Sequence, residues 1–284
     1  MPGAMRHLFC VFVGRAGMKS QAQVAGGVIV GLGVALSLAV AVKALPSRLN
    51  GSRSSRCTPR ALRANAVPGE AKTSERRETW RREAEKWLAW DPNPSTRAAV
   101  RELLDAGDEE QLTNMFMGKR LAFGTAGLRG PMGPGYGRMN DLVVIQTTQG
   151  LVRYLELHAG EGRREAGVVI GHDHRAQGGV SSEGFARLAA SVFLSAGYRV
   201  HLFGELVPTP VVAHCVRLKG ACAGVMVTAS HNPRTDNGYK VYWANGAQII
   251  PPHDTGIAAS IKECLEPWMA YGRPRRGGSR EGSG

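Results

Sequence analysis

Acidic residues are absent from the first 69 positions of this 284-residue chain, which hold nine Lys or Arg before the first acid, Glu70. Residues 43–69, rich in Arg, Ser, Ala and Pro, have a composition that cannot form a core. Residues 273–284 add four Arg against one Glu, so the 23 basic and 22 acidic residues of 70–272 leave that stretch at only +1. The overall charge of +13 therefore belongs to the two ends and says little about what the folded part binds. Aromatics make up only 6%, they do not interleave with basic residues, and no nucleic-acid motif is present; nucleic acid is not an expected partner. Cysteine is scarce too. Cys10, Cys57, Cys215, Cys222 and Cys264 are odd in number and widely spaced, without a Cys-x-x-Cys pair, which argues against a zinc or redox site of that kind. Cys222 lies in an apolar run and reads as a buried, inert thiol, which fits a reducing compartment.

Long apolar runs are limited to Val24–Val42, 19 uncharged residues and just enough to cross a bilayer as a helix. A signal anchor, a removable targeting peptide and an extension from an atypical gene model all fit it, and in none of these does it belong to the fold. Residues 1–72 are thus expected to be a basic extension, disordered or membrane-inserted. Internal repeats are also lacking.

Pattern begins at Thr73. Trp80, Ala84, Trp87 and Leu88 recur at helical spacing through Ser74–Trp90, and Asp91-Pro92-Asn93-Pro94 ends that helix. Ser95 can cap a second helix to about Asp105, and Asp108–Met117 reads as a third, so 73–120 is expected to be a helical arm. Residues 121–137, with glycines and prolines throughout, read as a loop. Asn140 caps an amphipathic helix with Leu142, Ile145, Val152 and Leu155 on one face. Strands are expected at Ala166–Gly171, Tyr198–Phe203 and Ala221–Val227. Helices begin at Ser181 or Ser182 and at Thr209-Pro210, the latter in cap-then-proline order. Tyr239–Trp243 and Gln248–Ile250 flank Asn245-Gly246, a hairpin signal, and Asp254–Leu265 closes the pattern. Strands alternating with helices predict an α/β class, a three-layer α/β/α domain with an added β-hairpin, over residues 121–268. Met269–Gly284 is low-complexity and reads as a disordered tail.

The chemistry concentrates at Ser230, which follows an apolar strand at the sheet end where ligands of open α/β sheets collect. Ser, Asn and Pro are also ordinary turn residues. The whole string from Thr228 to Trp243, TASHNPRTDNGYKVYW, is more specific, and it resembles the phosphoserine loop of the α-D-phosphohexomutase superfamily. Phe123-Gly124-Thr125-Ala126-Gly127-Leu128-Arg129-Gly130 is similar to the N-terminal Gly-rich loop of that superfamily, and Asp173 and Arg175 match its short Asp-x-Arg. Arg138–Asp141, Ile145–Gly150, Val207–Pro210 and Gly246–Ile250 look like the phosphoglucomutase-2 branch of phosphopentomutases and glucose 1,6-bisphosphate synthases. The likeness runs from about Glu83 to Trp268.

What the resemblance implies is a phosphosugar mutase of the isomerase class, moving a phosphoryl group between C1 and C6 of a hexose or C1 and C5 of a pentose. Ser230 would be a standing phosphate carrier, since a serine hydroxyl is both a poor nucleophile and a poor leaving group. Lys240 would do acid–base work on the sugar hydroxyl; a solvated strand lysine is its other reading. His231 would contact phosphoryl oxygens or hold the loop. Arg129 would grip phosphate by two parallel hydrogen bonds, or pair with Asp173 as scaffold. Thr125 and its glycines would turn backbone N–H groups toward an anion, and Asn232 would join the substrate contacts. Mg²⁺ on the phosphoryl group of Ser230 and glucose 1,6-bisphosphate as activator are implied, with glucose 1-phosphate and ribose 1-phosphate as substrates. His172 and His174 have no partner at zinc-ligand spacing. A cytoplasmic monomer is the family expectation, with membrane contact only if 24–42 is an anchor.

The resemblance also implies four domains, and only the first is expected here. Neither the acidic Asp-Gly-Asp-x-Asp-Arg metal loop nor the later sugar- and phosphate-reading loops occur in these 284 residues. Little or no mutase activity is therefore expected of this chain alone. A non-catalytic fragment that binds a partner or sugar phosphate is the rival reading, and a membrane-anchored structural protein, resting on 24–42, is a third.

Overall fold

The computed structural model describes residues 10–13, 68–125 and 127–271, so the 24–42 span lies outside the described residues. In chain order the elements begin with β1 (Cys10–Val13), α1 (Pro68–Trp90), α2 (Pro94–Ala106), α3 (Glu109–Phe116), β2 (Leu128–Pro131) and α4 (Asp141–His158). Then come α5 (Arg163–Ala166), β3 (Val168–His172), β4 (Ala176–Gln177), β5 (Val180–Ser181), α6 (Ser182–Ser195) and β6 (Val200–Phe203). The series closes with α7 (Thr209–Lys219), β7 (Ala223–Val227), β8 (Asp236–Trp243) and α8 (His253–Glu263).

Six strands form one sheet in the order β1-β6-β3-β7-β8-β2. Its centre is parallel, with β3 between β6 and β7, and its flanks are antiparallel. Strands β3 and β7 are buried at every position, as expected of parallel strands covered on both faces. Alternate residues feed two cores. Val168, Ile170, Val225 and Val227 join the layer of α4, α6 and α8, whereas Val169 and Met226 join Val212 and Val216 of α7. The right-handed crossover rule explains this. The chain steps from β3 to β6 through α6, then reverses past β3 to β7 through α7, so the two helices land on opposite faces. The β4–β5 hairpin stands apart from the main sheet.

The three layers follow the sequence pattern, with several local differences. Helix α1 starts at Pro68 rather than Ser74. Asn93, not Ser95, caps α2: its side chain accepts the Ser95 N–H at 3.0 Å, and Pro94 takes the first helical turn. Pro208 occupies the cap position of α7, without a side-chain cap bond, and Thr209 begins the helix. Strand β2 lies within the glycine-rich stretch that composition marks as loop. The hairpin after β8 shrinks to one bridge, Tyr242 to Gln248, because Pro251 and Pro252 cannot extend a ladder. Cys10–Val13, where no element is expected, pairs with β6 at the sheet edge.

Helix α4 is buried on all sides from Asp141 to Val152, not along one face. Its polar residues find partners inside: Gln149 donates to the Cys264 and Glu266 carbonyls at 2.9 and 2.8 Å and accepts from the Trp268 N–H at 2.9 Å. A Cβ on Gly150 would lie 2.6 Å from the Ile261 backbone nitrogen, so glycine lets α4 and α8 touch. The arm has its own core, where Trp87 meets Phe116 and Tyr136 edge-on or tilted at 5.4–5.9 Å between centroids. Among the described residues no helix is long and apolar enough to cross a membrane.

Candidate active site

Strands β3 and β7 run side by side and end together, and the chain leaves β3 toward α6 but leaves β7 toward β8. Such a divergence opens a crevice beyond the carboxyl ends of the strands. Asp173 and Arg175 lie just past β3, and Ser230 lies just past β7.

Ser230 is exposed and has φ +56°, the one non-glycine residue in the left-handed region among the described residues. A serine held there costs of order 1 kcal/mol and persists where the surroundings over-determine it. Arg175 provides that restraint. Its Nη1 donates to the carbonyls of Pro233 (2.6 Å) and Asp236 (3.0 Å), its Nη2 to those of Ser230 (2.8 Å) and Asn232 (3.0 Å), and its Nε to Asp173 (3.0 Å). All five guanidinium donors are therefore engaged. Asp173 also accepts from Ser182 (2.5 Å), Thr228 (2.6 Å) and the Arg175 N–H (3.1 Å). Burial pushes the Asp173 carboxyl up, but these hydrogen bonds and the guanidinium hold it below the ordinary carboxylate value. Thr228 in turn accepts the Ser230 N–H at 2.9 Å. Ser182 accepts from Asn237 at 2.9 Å, which ties α6 to β8.

Lys240 projects from β8, and its ammonium donates to Ser230 Oγ. Burial lowers the Lys240 pKa, and the nearby Arg129 charge lowers it further, while Asp173 opposes them. Arg129 lies on β2 opposite Gly238 and donates through Nη1 to Asn232 Oδ1 at 3.1 Å. Asn232 passes this on to Asp236 at 2.9 Å. Among the described residues no carboxylate sits within ion-pair distance of Arg129; the ion pair with Asp173 belongs to Arg175. His231 is exposed beside the serine.

The glycine-rich turn reaches the same strand. Gly124 and Gly127 exchange N–H···O bonds at 3.0 and 2.7 Å, so their amides face each other and not an anion. Gly127 has φ +75°, and a Cβ there would lie 1.9 Å from the Tyr239 carbonyl oxygen, so the turn packs directly on β8. The Thr125 hydroxyl donates to Asp254 at 2.6 Å, and the Thr125 carbonyl accepts from Gln248 at 2.9 Å.

The structure thus gathers Ser230, Lys240, Arg129 and Asn232 over the Asp173–Arg175 pair, while the Thr125 side chain turns to α8. Thr228 opens the serine string and Ser182 marks a helix start, but neither signal gives a role in the site, and nothing in the sequence links Asp254 to it. Gln248 falls in a motif that gives it no task. Mg²⁺ is held by one or two free carboxylates together with phosphate oxygens and water. Asp173 and Asp236 are already engaged, and no group of three or more His, Cys, Asp or Glu could hold a metal among the described residues. The residues described here do not by themselves fit Mg²⁺.

Fold and site together define a three-layer α/β/α domain with a serine loop at the carboxyl end of its sheet, and the chain belongs to the phosphoglucomutase/phosphomannomutase alpha/beta/alpha domain I family, whose model matches residues 120–267. Among its relatives, a phosphopentomutase of Mus musculus is 55% identical over 188 residues, 66% of this chain and 30% of that protein. A glucose 1,6-bisphosphate synthase of Homo sapiens is 48% identical over 185 residues, 64% of this chain and 29% of that protein. A probable phosphoribomutase of Schizosaccharomyces pombe is 49% identical over 183 residues, with 64% and 30% covered. The chain therefore spans about 30% of the length of these relatives.

Proposed function

We propose that Ser230 is the phosphoryl carrier of a phosphosugar mutase, with residues 121–268 as its phosphoserine domain and 73–120 as a supporting arm. The observation that carries this reading is the Lys240 ammonium on the Oγ of an exposed serine at the carboxyl end of β7. In the forward step a hydroxyl of a sugar monophosphate attacks the phosphoserine phosphorus. The O–P bond to the sugar forms as the bond to Oγ breaks. Lys240 gives its proton to the departing Oγ and, as the free amine, takes up the proton that the sugar hydroxyl releases, so one proton passes from the sugar to the serine. Reversal, with the bisphosphate turned end for end, returns its other phosphate to Ser230. Such transfer depends on positioning and charge neutralisation, for which Arg129, without a carboxylate partner among the described residues, and the exposed His231 are available.

Glucose 1-phosphate or ribose 1-phosphate as substrate, glucose 1,6-bisphosphate as activator and Mg²⁺ as cofactor belong to this proposal for the whole protein. The test is intact-mass analysis after incubation with glucose 1,6-bisphosphate and Mg²⁺. One phosphoryl group should appear on the wild-type chain and none on Ser230→Ala. A chain that takes up no phosphate would instead favour a fragment that only binds.

A further inference from the structure

Asp254 is a carboxylate with 5% exposure in the first turn of α8. One oxygen accepts the local Thr255 N–H at 2.7 Å, and the other reaches outside the helix to the Thr125 hydroxyl, 129 positions earlier. Gln248 holds the same residue from the other side through its carbonyl, and Gln248 is itself anchored, since its neighbour Ile249 donates its N–H to Val241 at 3.1 Å. Thr125 is therefore fixed at two points, both outside the glycine-rich turn. The turn cannot absorb a shift internally, because Gly124 and Gly127 bond to each other. It cannot move toward β8 either, since Gly127 already touches the Tyr239–Lys240 backbone. Directly after it, Leu128 and Arg129 enter the ladder with Tyr239 and Gly238.

We propose that Asp254 is a positioning residue, with Gln248 as the second point of attachment of Thr125, which fixes the turn and so sets Arg129 against Asn232 and Lys240 against Ser230. The inference rests on the phosphoryl-carrier reading and adds to it two residues that touch neither the serine nor its lysine. Its consequence is a loss of rate without loss of binding, since displacing reacting groups by about 1 Å costs on the order of 100-fold.

Four variants of the full chain test it: Thr125→Val, Gln248→Ala, Asp254→Ala and Asp254→Asn. Thr125 and Gln248 are exposed, so their variants keep the test usable if Asp254→Ala fails to fold. Hydrogen exchange of the 121–129 amides is expected to rise about tenfold in Thr125→Val and Asp254→Ala. The rate of Ser230 phosphorylation at saturating glucose 1,6-bisphosphate should fall about 10- to 100-fold, with the half-saturating concentration moving less than about threefold. Asp254→Asn, which retains an acceptor oxygen, should restore most of the rate. The Thr125→Val/Asp254→Ala double variant should be no slower than the slower single variant, because the two act through one bond. Unchanged exchange, faster exchange without loss of rate, or additive losses would each overturn the proposal. A wild-type chain that takes up no phosphate removes the carrier reading and the positioning role with it, while the exchange measurement still decides whether Asp254 holds the turn.

Discussion

The two loops that meet at β8 are held in opposite ways. The serine loop, Thr228–Asp236, hangs on one buried guanidinium whose partners are four loop carbonyls and one carboxylate. The glycine-rich segment is held piecemeal: by Asp254 and Gln248 at Thr125, by Tyr136 against the arm, and by backbone pairing of β2. One arrangement concentrates its restraint in a single charged group that no other side chain fully replaces. The other distributes it over several modest contacts from three parts of the chain. A strained, reactive position calls for the first, whereas a wall of the crevice can be built by the second.

The largest effect expected from this difference is at Arg175. Arg175→Met leaves Asp173 without its cation and four carbonyls without their donor. Breaking one side of a buried pair costs about 3–5 kcal/mol, read as the loss in unfolding free energy from urea denaturation. Arg175→Lys should recover only part, because an ammonium has three donors and no planar fork. A loss below about 1 kcal/mol, typical of a surface pair, would show that the serine loop is not hung on this side chain and would dissolve the contrast.

Lys240 stands where both loops converge. Lys240→Met is expected to slow Ser230 phosphorylation by about 10²- to 10⁴-fold, the range for loss of a proton-transfer group, with little change in unfolding free energy. A loss under about tenfold would leave Lys240 as a loop contact and move the acid–base role elsewhere.

These opposite designs also decide what the sequence could reveal. Ser230 and Lys240 stand ten residues apart on one strand–loop–strand unit, and Arg129 lies in a recognisable string, so local spacing brings the three to notice. Strands β3 and β7 are equally legible, because burial on both faces leaves an apolar run. Strand β2 is hidden by glycine and proline, whose local message is turn; its pairing comes from β8, about 108 residues later by register. The bond from Thr125 to Asp254 has no local trace at all, because neither residue type is unusual where it stands. Asn93 displaces Ser95 as the α2 cap because proline at 94 fits the first helical turn and sets the start two residues earlier than a Ser95 cap would. Helix α4 misleads in another way. Its polar residues suggest a wet face, yet tertiary partners such as the Leu265 carbonyl, 2.6 Å from Gln146 Nε2, bury it.

The smallest of these effects lies farthest out, where the arm supports the glycine-rich segment. Asp91 is 2% exposed between α1 and α2, accepting from Thr96 and, at 3.2 Å, from the Asn93 N–H. Burial raises its pKa to about 6, and the Asp141 carboxylate pushes it the same way, although the Thr96 and Asn93 hydrogen bonds and Arg97 oppose it. The folded value lies above the unfolded one of 3.8, so the folded chain binds this proton more tightly. The stability it brings is complete below about pH 4 and is lost as pH rises through about 6, the reverse of an ordinary ion-paired aspartate. The rise from 3.8 to about 6 sets an upper bound of about 3 kcal/mol. The unfolding free energy of wild type relative to Asp91→Asn should therefore climb as pH falls from 7 to 4.5, measured by urea denaturation at each pH. A difference that stays flat over that window would mean that Asp91 keeps an ordinary carboxyl. The arm would then hold the glycine-rich segment without a contribution from Asp91, through contacts such as those of Trp87 and Phe116 with Tyr136.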